Sequence, residues 1–171
     1  PLVLLVVWVV LVLLLKSLIA PSYLILSVLL SFGSAFGLTV IFFQYILGHA
    51  GVSFENLMWL FVFLIALGTD YNVYMMSRIQ EEVYVHGIVD GTREAVSRTG
   101  GVITSAGVIL AGTFMVLFTL PLQAIAQLGF GVALGVLLDT FVVRGFLVPS
   151  MVVTIRHWSW WPNPIYRKIS E

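Results

Sequence analysis

Gly68-Thr69-Asp70-Tyr71-Asn72 interrupts an apolar run that extends from Leu57 to Met76. A run of that length and composition reads as a membrane-spanning helix. An aspartate at the centre of such a helix costs about 2.5–3.5 kcal/mol on insertion scales, so a chain that keeps one there is expected to use it. The competing reading is a carboxyl group bonded to a neighbouring helix for packing alone. In hydrocarbon the ionised form of a carboxyl group is disfavoured, so the group can bind and release a proton as its surroundings change. On a helix Asp70 and Tyr71 stand about 100° apart and can face one crevice. Ala66, Asp70, Tyr74 and Ser77 fall along one stripe by i, i+4 and i+3 spacing. The expectation is a proton relay at Asp70 and Tyr71, with Tyr74 and Ser77 in support.

The composition sets the class. Of 171 residues, 60 % are hydrophobic and 9 % charged, against about 25 % charged in a soluble domain. The chain therefore reads as an all-α, polytopic membrane protein. Its formal net charge is zero, so the placement of charge informs rather than its sum, and nothing points to nucleic acid. With no cysteine, disulfides, thiol nucleophiles and cysteine metal sites are excluded; no cofactor or metal is expected. The chain opens at Pro1 inside an apolar run, with no signal-peptide pattern, and is expected to be part of a longer protein.

Hydropathy places five spans at about 2–15, 22–47, 54–77, 100–120 and 123–155. The first is about 21 Å long as a helix, short of the ~30 Å hydrocarbon core. Pro21 suits the first turn of the second. Gly33/Gly37, Gly101/Ser105, Gly107/Ala111 and Gly131/Gly135 form small-xxx-small steps that permit close helix approach. His49 is read as a solvated loop residue and His86 as exposed. Thr104, Ser105 and Thr113 carry hydroxyls into the fourth span. Thr113 is expected to bond its own i−4 carbonyl, whereas Thr104 and Ser105 either do the same or face the Asp70 crevice.

The stretch 78–99 carries most of the charge and is expected to be a loop with a short amphipathic helix on the membrane surface. Asp90 would cap that helix, and Thr92, Ala95, Val96 and Thr99 would form its apolar stripe. The fifth span overruns the bilayer and must tilt, bend at Pro149 or continue along the surface. Asp139 and Arg144 lie in it at i, i+5, about 140° apart on an α-helix and poorly placed to pair. Arg144 is expected to snorkel to the interface, and Asp139 to need a partner on another helix or at the interface. Both are read as structural charges that anchor the helix. Trp158, Trp160 and Trp161, followed by Arg167 and Lys168, read as an aromatic belt with basic flanks.

Five spans put Lys16, the 78–99 stretch and the 156–171 tail on one side, together with Arg78, Arg93, Arg98, Arg156, Arg167 and Lys168. The opposite connections, 48–53 and the turn at Pro121, hold no Lys or Arg. By the positive-inside rule the basic side, and with it the C-terminus, is cytoplasmic.

With the spans placed, the chain resembles the MMPL family of the resistance–nodulation–division transporter superfamily. The resembling residues are Gly68-Thr69-Asp70-Tyr71-Asn72 with Met76-Ser77-Arg78 and Glu81-Glu82, then Arg93-Glu94-Ala95-Val96 and Thr99-Gly100-Gly101 through Gly107. Gln127-Leu128-Gly129-Phe130-Gly131, Leu137-Leu138-Asp139 through Arg144, Val148-Pro149-Ser150 and Trp160-Trp161-Pro162 follow. The resemblance implies one single-domain transmembrane bundle, 1–171, that forms the last five helices of a twelve-helix bundle in a bacterial cell membrane. It further implies proton-driven export of lipids or other hydrophobic compounds. Its partners would be protons, membrane lipids, a hydrophobic substrate and the other half of the same protein, whose Asp-Tyr pair would face Asp70 and Tyr71.

Two other classes compete with export. Two membrane aspartates, Asp70 and Asp139, could suit an intramembrane aspartyl protease, whose carboxylates share a proton, but Asp139 lacks that enzyme's glycine context. A non-pumping, sterol-sensing-like receptor bundle is the other. The chain is not expected to be an enzyme.

Overall fold

In the computed structural model, which describes residues 2–49 and 51–162, the chain is a helical bundle. Helix α1 spans Leu2–Leu15, α2 Ile19–Val40, α3 Phe54–His86, α4 Ile88–Val116, α5 Gln123–Leu138 and α6 Val148–Ile155. Two π-helical segments extend helices, Ile41–Ile46 after α2 and Asp139–Leu147 between α5 and α6, and a 3-10 segment at Arg156–Trp160 follows α6. Four helical stretches are long and apolar enough to cross a membrane, Ile19–Ile46, Phe54–His86, Ile88–Thr119 and Gln123–Trp160, and Leu2–Leu15 is a shorter apolar helix. Arg167 and Lys168 lie outside the described residues.

Helix α3 is central and packs against α1, α2, α4 and α5. Small residues set how closely its neighbours approach. On α2 the buried stripe is Ser27, Ser31, Ala35 and Thr39 at i, i+4 spacing. It meets Gly131 and Gly135 of α5: a Cβ at Gly131 would lie 3.1 Å from Thr39 Oγ1, and Ser31 Oγ reaches the Gly135 carbonyl at 3.5 Å. A Cβ at Gly135 would come within 2.6 Å of Leu64 on α3, so that step is used for helix packing as expected. Gly107 adjoins Thr140 and Ala111 is buried. The Gly33/Gly37 step does not pack within the chain, since a Cβ at either position meets nothing within 4 Å, and the same holds at Gly101.

The stretch 78–99 differs from its expected form. Helix α3 continues to His86 and α4 begins at Ile88, with Gly87 at φ 82° as the whole connection. The amphipathic stripe is the start of α4, and Thr92, Ala95 and Thr99 are buried against α3 rather than laid on a membrane surface. The two helices approach so closely that a Cβ on Gly91 would lie 2.6 Å from the Glu82 carbonyl group. Asp90 makes no capping bond; it sits in the first turn of α4, where its charge suits the helix dipole. Arg78–Glu81 at 2.7 Å and Arg98–Glu94 at 2.6 Å are exposed pairs, each worth about 0–1 kcal/mol.

The ends of the bundle are tied separately. At one end Ser17 Oγ donates to the Ser159 carbonyl at 2.6 Å, and the Leu18 N–H donates to the Trp161 carbonyl at 3.0 Å. That clasp draws Trp160 fully into the core, 0 % exposed, while Trp158 and Trp161 stay exposed. The aromatic belt thus loses one of its three members, because the 3-10 segment folds back over the start of α2. At the other end Asn56 Nδ2 donates to Gln127 Oε1 at 2.9 Å, and Gln127 Nε2 donates to the Gly51 carbonyl at 3.0 Å. Phe42 stacks on Phe130 with ring centroids 4.4 Å apart. His49 is half-buried against Phe43, not solvated; His86 is exposed and 3.1 Å from Glu82.

Candidate functional site

The charged site of the bundle is organised by the turn that follows α5. From Asp139 to Leu147 the backbone is π-helical, with hydrogen bonds reaching five residues back; the Val148 N–H donates to the Val143 carbonyl. Pro149 follows at once. It has no N–H, and in a regular α-helix its ring would collide with the carbonyl of Gly145. The wider turn brings i and i+5 onto the same face. Asp139 and Arg144 therefore form an ion pair within one helix, Arg144 Nη2 to Asp139 Oδ2, contrary to the reading on a 3.6-residue period. Arg144 is 3 % exposed and does not snorkel, and Asp139 is 5 % exposed and needs no partner from another helix.

Arg144 links this pair to the central motif. Its guanidinium lies over the Tyr71 ring, 4.4 Å from the centroid, a cation–π contact that strengthens away from water. Its Nη2 also reaches the Gly68 carbonyl at 3.5 Å. Gly68 has to be small here: a Cβ would meet Val28 at 3.1 Å and Asp139 Oδ2 at 3.8 Å. Thr69 donates to the Ile65 carbonyl of its own helix at 2.6 Å. The five-residue motif is thus the place where α3 admits the π segment and α2 at close range.

Asp70 and Tyr71 point apart. Tyr71 is half-buried and lines the inner cavity beside Asp139 and Arg144. Asp70 is exposed on the outer face of α3 together with Ala66 and Tyr74, and Ser77 lies half-buried on the same stripe. The stripe expected from the spacing is present, but the single crevice shared by Asp70 and Tyr71 is not formed within this chain. Thr104 lines a cavity with Arg144 and Thr140. Ser105 is exposed and bonds the Val102 carbonyl at 3.1 Å, whereas Thr113 bonds the Ile109 carbonyl at 2.9 Å, as expected.

Sequence reasoning missed three buried polar residues. Asn72 is 1 % exposed, and neither of its amide atoms has a partner. Ser31 on α2 lines a cavity with both members of the ion pair, and Thr140 on the π segment lines another with Arg144. Ser31 alone had a signal, the i, i+4 run of small residues from Ser27 to Thr39. Among the described residues no group of three or more His, Cys, Asp or Glu could hold a metal ion.

Several apolar helices long enough to cross a membrane, packed around a buried ion pair, define a multi-pass helical membrane protein. The MMPL family model matches residues 2–170, and the chain belongs to that family. It is 49 % identical over 168 residues to ActII-3 of Streptomyces coelicolor, named as a membrane protein; the match covers 98 % of this chain and 24 % of that protein. The apo-petrobactin exporter of Bacillus anthracis is 45 % identical over 157 residues, 92 % of this chain and 21 % of the exporter. MmpL12 of Mycobacterium tuberculosis, named as a transport protein, is 42 % identical over 167 residues, 95 % of this chain and 14 % of its own length. The chain thus spans about a quarter or less of the length of each of these three relatives.

Proposed function

We propose that the chain is the C-terminal membrane half of a proton-driven exporter of lipids or other hydrophobic compounds. The observation that carries this reading is the motif itself, with Asp70 on the open face of α3 and Tyr71 seated on the buried Arg144–Asp139 pair. Asp70 and Tyr71 carry the proton, and Tyr74, Ser77 and Thr104 stand near its route; Ser105 faces outward beside them. The outward stripe of Ala66, Asp70 and Tyr74 offers a surface for the other half of the full-length protein. A protonation change there alters the cost of holding a charge in the membrane and so biases two packings of the bundle. One relative is named an exporter, which supports outward transport. Within this chain Arg144 engages Asp139, which leaves that carboxylate unsuited to share a proton with Asp70 as a protease would require.

The test is uptake of a labelled hydrophobic compound into inverted vesicles that carry the full-length protein. An imposed pH gradient is expected to raise uptake by at least about tenfold, and an uncoupler to abolish the gain. Uptake indifferent to both treatments removes proton coupling from the reading.

The basic side, with the C-terminus, is assigned to the cytoplasm of a bacterial cell. Cysteines placed at Ser53 and Ser97 are expected to label from opposite sides of intact cells, Ser53 from outside. Labelling of both from one side overturns the five-span topology.

A further inference from the structure

Three cavities share lining residues in sequence between the hairpin end of α3–α4 and Tyr71. The first, about 220 Å³, is lined by Tyr74, Arg78, Glu82, Arg98 and Thr99. Thr99 also lines the second, about 50 Å³, into which Thr104, Thr140 and Arg144 face. Arg144 also lines the third, about 10 Å³, beside Asp139, Tyr71 and Ser31. The first is lined mostly by polar surface and the other two mostly by apolar surface, but the polar groups set into the inner two are incompletely satisfied by protein. Thr140 Oγ1, Arg144 Nε and Asp139 Oδ1 are all buried without a hydrogen-bond partner.

Buried polar atoms left without partners are costly, and space that adjoins several of them is where an ordered water finds the two to four polar partners it needs. The smallest cavity is close to the volume of about 10–15 Å³ that one water needs, and the larger two hold more. Charge at the mouth is balanced: Glu82 lies 3.7 Å from Arg98 and 3.1 Å from His86, and Arg78 and Arg98 are further paired with Glu81 and Glu94. Such a mouth favours neither an anionic nor a cationic ligand over water.

We propose that these cavities hold a continuous file of water that joins the hairpin end of α3–α4 to the Asp139–Arg144 pair behind Tyr71, with Thr99, Thr104 and Thr140 as its lining hydroxyls. The use of this file as a proton path rests on the exporter reading; its hydration does not.

Gly100 supplies a plug. It lines the middle cavity, and a Cβ there meets nothing within 4 Å, so a side chain can start there and Gly100→Leu extends one into that space. In the full-length protein, in a cysteine-free background and in membranes, Thr104→Cys is treated with methyl methanethiosulfonate, which reacts with the hydrated thiolate. Its rate is expected to exceed by at least about tenfold that of Ile109→Cys, on the exposed face of the same helix. Adding Gly100→Leu is expected to erase that excess while the Ile109→Cys rate and the protein's abundance hold. Where Gly100→Leu lowers abundance, Thr140→Val, which keeps the shape and removes a hydroxyl, serves instead and is expected to slow the Thr104→Cys reaction. Equal rates at the two positions, or an excess that neither substitution reduces, overturn the file. Gradient-driven export with an inert Thr104→Cys sinks the file alone. A reactive Thr104→Cys without gradient-driven export sinks the exporter reading alone.

Discussion

Arg144→Leu is expected to remove most of the folded full-length protein from the membrane. The substitution leaves Asp139, 5 % exposed, with neither its ion pair nor water in bulk. Breaking a buried pair from one side costs about 3–5 kcal/mol, a large share of a total stability of about 5–15 kcal/mol. The guanidinium stack on Tyr71 is lost as well. Asp139→Leu combined with Arg144→Leu is expected to restore much of the abundance, because an apolar pair of similar volume replaces a buried ion pair at little net cost. Export is not expected to return with it, since Tyr71 then faces hydrocarbon. Membrane abundance at matched transcript, followed by export per molecule, separates the two effects. Normal abundance of the single variant would show that the pair does not hold the π segment in place.

Asp70→Asn is expected to leave abundance unchanged and to reduce gradient-driven export by at least about tenfold. The amide keeps the size of the side chain but cannot ionise at any working pH. Asp70 stands exposed on the outer face of α3, whereas the Asp139–Arg144 pair lies inside the bundle, so the loss of Asp70 does not disturb the core. Tyr71→Phe is expected to fall between, because the ring stays over Arg144 while the hydroxyl goes. The measurement is export at matched expression under an imposed pH gradient, with and without uncoupler. Asp70→Asn export that stays near the unsubstituted level and still collapses with uncoupler would place the proton path elsewhere.

The helices were legible because their lengths and apolar content leave few alternatives, and the Asp70 stripe was legible because α3 is a regular helix in which i, i+4 spacing holds. Family membership was legible from ordered motif blocks. The Asp139–Arg144 pair was not, because a 3.6-residue period assigns i and i+5 to different faces, and the departure from that period begins at Asp139 itself. Pro149, four residues beyond Gly145, is the available signal, since its ring forbids a regular α turn there. The charged hairpin was misread for another reason. Charge density suggests a loop with a short amphipathic helix on the membrane surface, yet Gly91 lets α4 press so closely on α3 that most of the apolar stripe is buried there instead. Trp160 shows the limit of a composition rule: three tryptophans share one segment, but the clasp at Ser17 takes one of them inside. Which glycine steps pack also depended on helix phase, and spacing alone does not distinguish Gly33/Gly37 from Gly131/Gly135.

The π segment has a mechanical consequence. A π turn is an α-helix that accommodates a surplus residue, and that surplus can relocate along the helix one peptide at a time. Residues passed over by the relocation swivel by about one helical step of 100°, while those beyond either end keep their phase. Arg144 lies within the segment, whereas Val132 and Val136 before it and Val148 and Val152 after it are buried in the core. Arg144 could therefore turn away from Asp139 and Tyr71 while both ends of the helix stay bolted in place, a gear shift that needs no sliding of one helix past another.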